Sequence, residues 1–266
     1  MPFRGKQNIA MLLALDIGNT NITLGVFRGE TLKATARLAT DASRMSDEYG
    51  LMISQLLPAK GVSPSDVEAI VMCSVVPPLT RTLVEVCENY FKVSPLVVGA
   101  GTKTGIRILY DSPRDVGADR IVDAAAALHL YGGPVIIVDI GTATVFDAVT
   151  KDGDYLGGAI APGISLAADT LFMRTSMLRR VELIAPPTAI GRNTVHAIQS
   201  GLVLGYAELV KGMVARFDSE LGGASKIIAT GGLATVVERE ANVFDVVDPD
   251  LTLTGLRLIY EMNTES

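Results

Sequence analysis

The 266-residue chain contains no tryptophan, two histidines and two cysteines, and its aromatic residues amount to 5% of the whole. Cys73, in an apolar strand-like run, and Cys87, in a helical pattern, are too few for a disulfide framework and lack zinc-ligand spacing, so both are expected to be buried, reduced thiols. His129 and His196 each fall on an expected helix with no second ligand four residues on, which suits packing better than catalysis. With few aromatics to stack on, and 23 basic residues interspersed among 29 acidic ones for a net charge of −6, nucleic acid is excluded as a partner. No apolar run approaches the ~20 residues a bilayer span requires, and the longest, GGPVIIVDIG, is broken by Asp139; a membrane partner is excluded too. The leader MPFRGKQNIA has no long apolar stretch and no cleavage site after it, so a cytoplasmic protein is expected. Residues 1–10 read as an extension, with the start open between Met1 and Met11.

What is present is the balance of a globular protein, 48% hydrophobic and 20% charged, in a chain long enough for two modest domains. From Met11 the strands LLALDI, ITLGVF and TLKATARLA, joined by GNTN and RGE turns, form a meander. A helix follows from Ser46, its expected cap, to Pro58; then come the strand VEAIVMCSV, a helix opened by Pro77 and Pro78, and the strand SPLVVG. After YDSPRDVGADR the order repeats: an Ala-rich helix RIVDAAAALHLY, a meander PVIIVDI, VFDAVT and YLGGAIAPG, helices from about Ser165 and over Thr194 to Phe217, a strand KIIATGG, a helix from Leu233, and a final helix LTLTGLRLIYEM. The expected fold class is therefore α/β, with similar units at 11–117 and 118–266 facing each other across a cleft, and with the last helix free to pack back on the first unit.

The repeat is sharpest at DIGNT and DIGTA, each closing an aliphatic strand. A carboxylate at the end of a buried strand is costly to desolvate and should meet a cation or several donors. Asp16 and Asp139 both stand there, and Gly18 and Gly141 let the following backbone turn closely, so that successive N–H groups can cradle an anion. For either copy alone, a hairpin turn capped by its aspartate is an adequate explanation. Two copies, together with the glycine-rich segments GGAIAPG and ATGGLA, favour metal and phosphate. GAGTKT, from Gly99, lacks the Gly-Lys-Ser/Thr of a P-loop and the third glycine of a dinucleotide turn. Asp119, in GADR, enters the Ala-rich helix, where its minimal role is that of a first-turn carboxylate favoured by the helix dipole.

DIGNTN, VDIGTAT and ATGGLA resemble the two phosphate motifs and the adenosine motif of the superfamily of sugar kinases, chaperone ATPases and actin, with its ribonuclease H-like units. Within it, DSPRDVGADRIVDA, LGGAIAPGISLAADTLFMRTSML and IGRNTVHAIQSG resemble type III pantothenate kinases, over nearly the whole chain from Met11. The resemblance implies ATP-dependent phosphorylation of the primary hydroxyl of pantothenate, with Mg²⁺ and a monovalent cation (K⁺ or NH₄⁺), by a cytoplasmic homodimer. It implies Mg²⁺ and ATP phosphates held by Asp16 within the run Ile17, Gly18, Asn19, Thr20, Asn21, Ile22 and Thr23, further phosphate contact from Thr142, and the monovalent cation on Asp139. Asp119 would be the general base, and Gly117, Ala118, Arg120, Tyr110 and Thr194 would contact pantothenate. Arg120 could equally be a structural ion pair. A catalytically silent regulatory homologue, or a kinase of another small acid or sugar, are the alternatives; a binding-only module has no need of Asp119.

Overall fold

The computed structural model describes residues 11–264, and the expected extension at 1–10 lies outside the described residues. Two compact units divide the chain: the first takes the residues up to Gly105, Arg114–Val122 and those from Thr252 on, and the second takes Ile106–Pro113 and Asp123–Leu251.

In the first unit, β1 (Leu12–Ile17), β2 (Asn21–Arg28) and β3 (Thr31–Ala39) form the antiparallel meander. Helix α1 (Ser46–Ala59) then leads to β4 (Ala69–Ser74), and α2 (Pro77–Val86), extended by a π-turn over Cys87–Phe91, leads to the short β5 (Leu96–Val97). The strand order is β3-β2-β1-β4-β5, with β4 and β5 parallel to β1. Being central, β1 is buried on both faces and reads as a nearly unbroken aliphatic run. On one face Leu13, Leu15 and Ile17 join Ile70 and Met72 of β4 beneath Tyr49, Ile53 and Leu57 of α1 and Leu79 and Leu83 of α2. Ser46 is the first helical residue of α1 and not its cap. Met45 precedes it, and the Met45 N–H donates to Glu48 Oε2 at 2.9 Å, so the glutamate three residues on satisfies the amide of the cap residue, which is the other half of a capping box.

The second unit opens with β6 (Arg107–Ile108), and α3 (Ala118–Tyr131) begins in the first unit and continues into the second. The meander β7 (Val135–Ile140), β8 (Ala143–Val149) and β9 (Asp154–Pro162) is followed by α4 (Ile164–Arg174). A helical run over 194–220 comprises α5 (Thr194–Gln199), a π-turn at Ser200–Leu204 and α6 (Gly205–Glu220); β10 (Lys226–Thr230), α7 (Ala234–Ala241), β11 (Val246–Val247) and α8 (Leu251–Thr264) complete the order. The sheet runs β11-β10-β7-β8-β9-β6, which is the first sheet's order with β6 added beside β9.

The units depart from a division at 117/118 for three local reasons. β6 pairs with β9 and takes 106–113 into the second unit. The turn before α3 packs by Gly117 on Val75, just past β4. The last helix lies on the β2 face opposite α1, where Gly25 leaves room for Leu253 and Arg257 stands 5.8 Å over the Phe27 ring. A Cβ at Gly25 would sit 2.8 Å from Leu253 Cδ1, and both residues are held by their elements. Gly25→Val should therefore overpack this contact and destabilise the fold by about 1–3 kcal/mol, lowering the thermal midpoint by several degrees in a melting experiment. An unchanged midpoint would mean that α8 yields freely.

Candidate active site

Asp16 is the penultimate residue of β1, level with Thr23 of β2 on one side and with Cys73 of β4 on the other. The Cys73 thiol donates to Asp16 Oδ1 at 3.5 Å. Burial pushes the Asp16 carboxyl up to about 7 and the nearby Asp119 carboxylate adds to the rise, against a smaller opposing effect of Cys73. The turn beyond it is rigidly made: the Gly18 N–H donates to the Asn21 carbonyl at 3.0 Å, Thr40 Oγ1 donates to the Gly18 carbonyl at 2.6 Å, and the Thr40 N–H donates to the Thr20 carbonyl at 2.9 Å. Asn19, Thr20 and Asn21 stay exposed and Thr23 is half-buried. Ile17 and Ile22 are fully buried in the core, so only their main chain could meet a ligand, and the Ile17 carbonyl already accepts from the Val75 N–H at 3.0 Å.

Asp119 lies in the first turn of α3, half-buried like its neighbours Gly117, Ala118 and Arg120. Its carboxyl is raised from the ordinary aspartate value by burial, partly offset by the Arg120 N–H, which donates to Oδ1 at 2.8 Å, and by the Arg120 charge. A Cβ at Gly117 would come 2.5 Å from Asp119 Oδ1, so the glycine is what admits the carboxylate to this position. A desolvated carboxylate of raised basicity next to a second carboxylate is suited to receiving a proton.

The second unit repeats the first turn with different closures. Asp139 is the penultimate residue of β7, level with Val145 of β8 and Thr230 of β10. The Gly141 N–H donates to the Ala143 carbonyl at 2.9 Å, and the Gly163 N–H, from the end of GGAIAPG, donates to the Thr142 carbonyl at 3.0 Å, leaving Thr142 exposed. From ATGGLA, Gly231 has φ +90° and approaches so closely that a Cβ there would run into Asp139 Oδ1; the Leu233 N–H donates to the Ile140 carbonyl at 3.0 Å. The two glycine-rich segments thus converge on the turn after β7.

Tyr110 follows β6, its ring 6.5 Å from that of Tyr155 and stacked over Gly157, where φ is +118° and a Cβ would approach within 2.9 Å. Arg107 holds Asp154 with two bonds of 2.6 and 2.7 Å, the Leu109 N–H donates to the Tyr155 carbonyl at 2.9 Å, and the Tyr155 hydroxyl donates to buried Asp147 at 2.7 Å. Thr194 is the exposed first residue of α5, and Asn193 caps that helix by accepting from the His196 N–H at 2.9 Å. His129 is exposed and His196 half-buried. Both cysteines are buried and outside any disulfide, and burial pushes the Cys87 thiol up to about 12. GAGTKT closes on itself as a turn, the Gly99 N–H donating to Thr102 Oγ1. Thr40 and Cys73 are the site residues with no local sequence signal, because each meets its turn or carboxylate only through strand pairing.

Among the described residues no group of three or more His, Cys, Asp or Glu is gathered to hold a metal. Mg²⁺ keeps waters and substrate phosphates and commonly takes only one or two carboxylates from the protein, a demand that Asp16 alone could meet. Exposed main chain and polar side chains beside Asp16, and the glycine-lined surroundings of Asp139, are chemically suited to phosphate and cation.

Among solved structures the fold is similar to a protein described as a conserved putative Baf family transcriptional activator from Campylobacter jejuni, with a TM-score of 0.61, 22% identity, and 94% and 98% of the two chains covered. It is also similar to a ROK hexokinase from Thermus thermophilus, with a TM-score of 0.51, 13% identity, and 94% and 98% covered. At these identities the likeness is one of fold alone. A type III pantothenate kinase of Moorella thermoacetica is 51% identical over 254 residues, 96% of this chain and 100% of that protein. The family model for type III pantothenate kinase matches residues 12–216, and by both measures the chain belongs to that family.

Proposed function

We propose that this protein transfers the γ-phosphoryl group of ATP to the primary hydroxyl of pantothenate, forming 4′-phosphopantothenate in the first step of coenzyme A synthesis in the cytoplasm. The observation that carries the reading is Asp119, a desolvated carboxylate close enough to Asp16 to raise it, in a chain 51% identical to a pantothenate kinase along its length. A silent regulatory homologue, or a kinase of another small acid or sugar, has no comparable support.

Asp16 would hold Mg²⁺, and Gly18, Asn19, Thr20 and Asn21 would hold ATP phosphates, with Thr142 on the corresponding turn of the second unit adding a phosphate contact. Mg²⁺ neutralises phosphate charge when bound. Asp139, which Gly141 and Gly231 leave uncrowded, would take K⁺ or NH₄⁺. Tyr110, Gly117, Ala118, Arg120 and Thr194 would orient pantothenate so that Asp119 accepts its hydroxyl proton during attack. Position and charge neutralisation supply most of the catalysis in such transfers.

Purified protein with ATP, Mg²⁺ and potassium should form 4′-phosphopantothenate, detected by mass, only when pantothenate is present; turnover without pantothenate, or none at all, would sink the reading. Asp119→Asn keeps size and hydrogen bonding but removes the base. It should lower kcat by about 10²-fold, the lower end for a general base because a loose transition state needs less help, while calorimetric ATP affinity stays nearly constant. A variant turning over within about threefold of wild type would reduce Asp119 to a helix-start carboxylate.

A monovalent cation should be required, and Asp139→Ala should shift saturation to higher potassium when rates are followed in a choline-based buffer. Equal rates in wild type without potassium or ammonium would refute the assignment.

A homodimer is also part of the proposal. Ala207, Val210 and Val214 of α6 are buried in the unit's own core. Exposed apolar surface lies instead on α4 and just beyond it, where Leu166 and Phe172 are accompanied by Met173 at 64% and Met177 at 92% exposure. Phe172→Asp with Met173→Asp should yield monomers by light scattering and lower specific activity; a native protein that is a fully active monomer would remove the idea.

A further inference from the structure

Cys73 has no exposed surface, and on β4 it shares a face with Ala69 and Val71, while Ile70 and Met72 point into the main core of the unit. An alanine or a valine would fill such a position. A thiol adds one donor, and here its sulfur lies 3.5 Å from Asp16 Oδ1, across the parallel pairing that sets the two residues level. The duplicated sheet gives an independent observation. Asp139 and Thr230 occupy the same paired positions on β7 and β10, and Thr230 is buried at 2% exposure. In both sheets, then, the strand-end aspartate is flanked on the parallel side by a short side chain that carries a single S–H or O–H.

We propose that Cys73 is a positioning residue for the phosphoryl transfer, its thiol fixing the rotation of the Asp16 carboxylate so that the carboxylate is set for the Mg²⁺-nucleotide. The proposal rests on the reading of Asp16 as the Mg²⁺ ligand. A carboxylate turns about its Cβ–Cγ bond unless one oxygen is engaged, and partners that orient a metal ligand typically change metal affinity by about 10–100-fold when removed. A thiol is a weak donor, so the lower end applies. Nothing reacts at sulfur, and no bond forms or breaks there.

Binding of Mn²⁺ in the presence of ADP, followed by the electron paramagnetic resonance signal of free Mn²⁺, separates orientation from packing without using turnover. Cys73→Val keeps the volume and loses the donor, Cys73→Ala covers the case in which the valine variant does not fold, and Cys73→Ser keeps a donor. The valine or alanine variant should bind Mn²⁺ about tenfold more weakly than wild type, with serine restored to within about twofold, and the KM for pantothenate should stay constant while that for Mg²⁺ rises. Wild-type Mn²⁺ affinity in the valine or alanine variant, or equal losses in serine and valine, would overturn the proposal and leave Cys73 a packing residue. Asp16→Asn serves as the control for the reading beneath it. If that variant binds Mn²⁺-ADP normally, both the Asp16 reading and the Cys73 proposal fall; if it loses binding while Cys73→Val does not, only the Cys73 proposal falls.

Discussion

The constraint on which the rest of the molecule depends is a carboxylate built into the end of a central strand, once in each unit. Asp16 and Asp139 are both penultimate in strands that are otherwise aliphatic and have a neighbour on either side. An ionised group is poorly tolerated there, and Asp16 shows the penalty in a carboxyl pushed up to about 7. The protein accepts this strain in order to present charge at a fixed point at the mouth of a rigid sheet. Central strands are the least mobile places available, and a side chain at the end of one inherits that rigidity.

The glycines follow from the same constraint. Gly117 admits Asp119 beside the first carboxylate, and Gly231 lets the chain after β10 pass against Asp139. Any larger residue at either place would run into a carboxylate oxygen. Packing around each aspartate is therefore set from several distant segments, which explains why two glycine-rich stretches far apart in the chain meet at one turn in the second unit.

Much of this was legible from residue order. The paired DIG turns, the meanders and nearly all helices follow from aliphatic runs, turn glycines and helical spacing, and the family motifs point to the same residues. Other features could not be read, for physical reasons. β6 and β11 are two residues long and exist only because a neighbouring strand offers an edge. Thr40 and Cys73 reach Asp16 and its turn through pairing across 57 residues or fewer of intervening chain, and pairing register has no local signature. The apolar residues of α6 announce a buried face without saying whether the core or another subunit covers it. Ile17 and Ile22 lie inside the motif expected to meet phosphate, yet strand alternation turns both side chains away from the turn it forms.

Tyr110 illustrates what a very short element can do. It hangs from two residues of strand, but Arg107 grips Asp154 with a planar two-bond fork, and the aromatic ring is seated on Tyr155 and Gly157. Its position is set by contacts within the unit itself. Its loss of conformational freedom is thus charged to folding, and a small acid docking against the ring would not have to immobilise it. Because the Arg107 side of the fork is exposed at 70% while Asp154 is only 14% exposed, salt would screen the pair in part, so ligand affinity on the Tyr110 side would carry a modest ionic-strength dependence with no charged group of Tyr110's own to account for it.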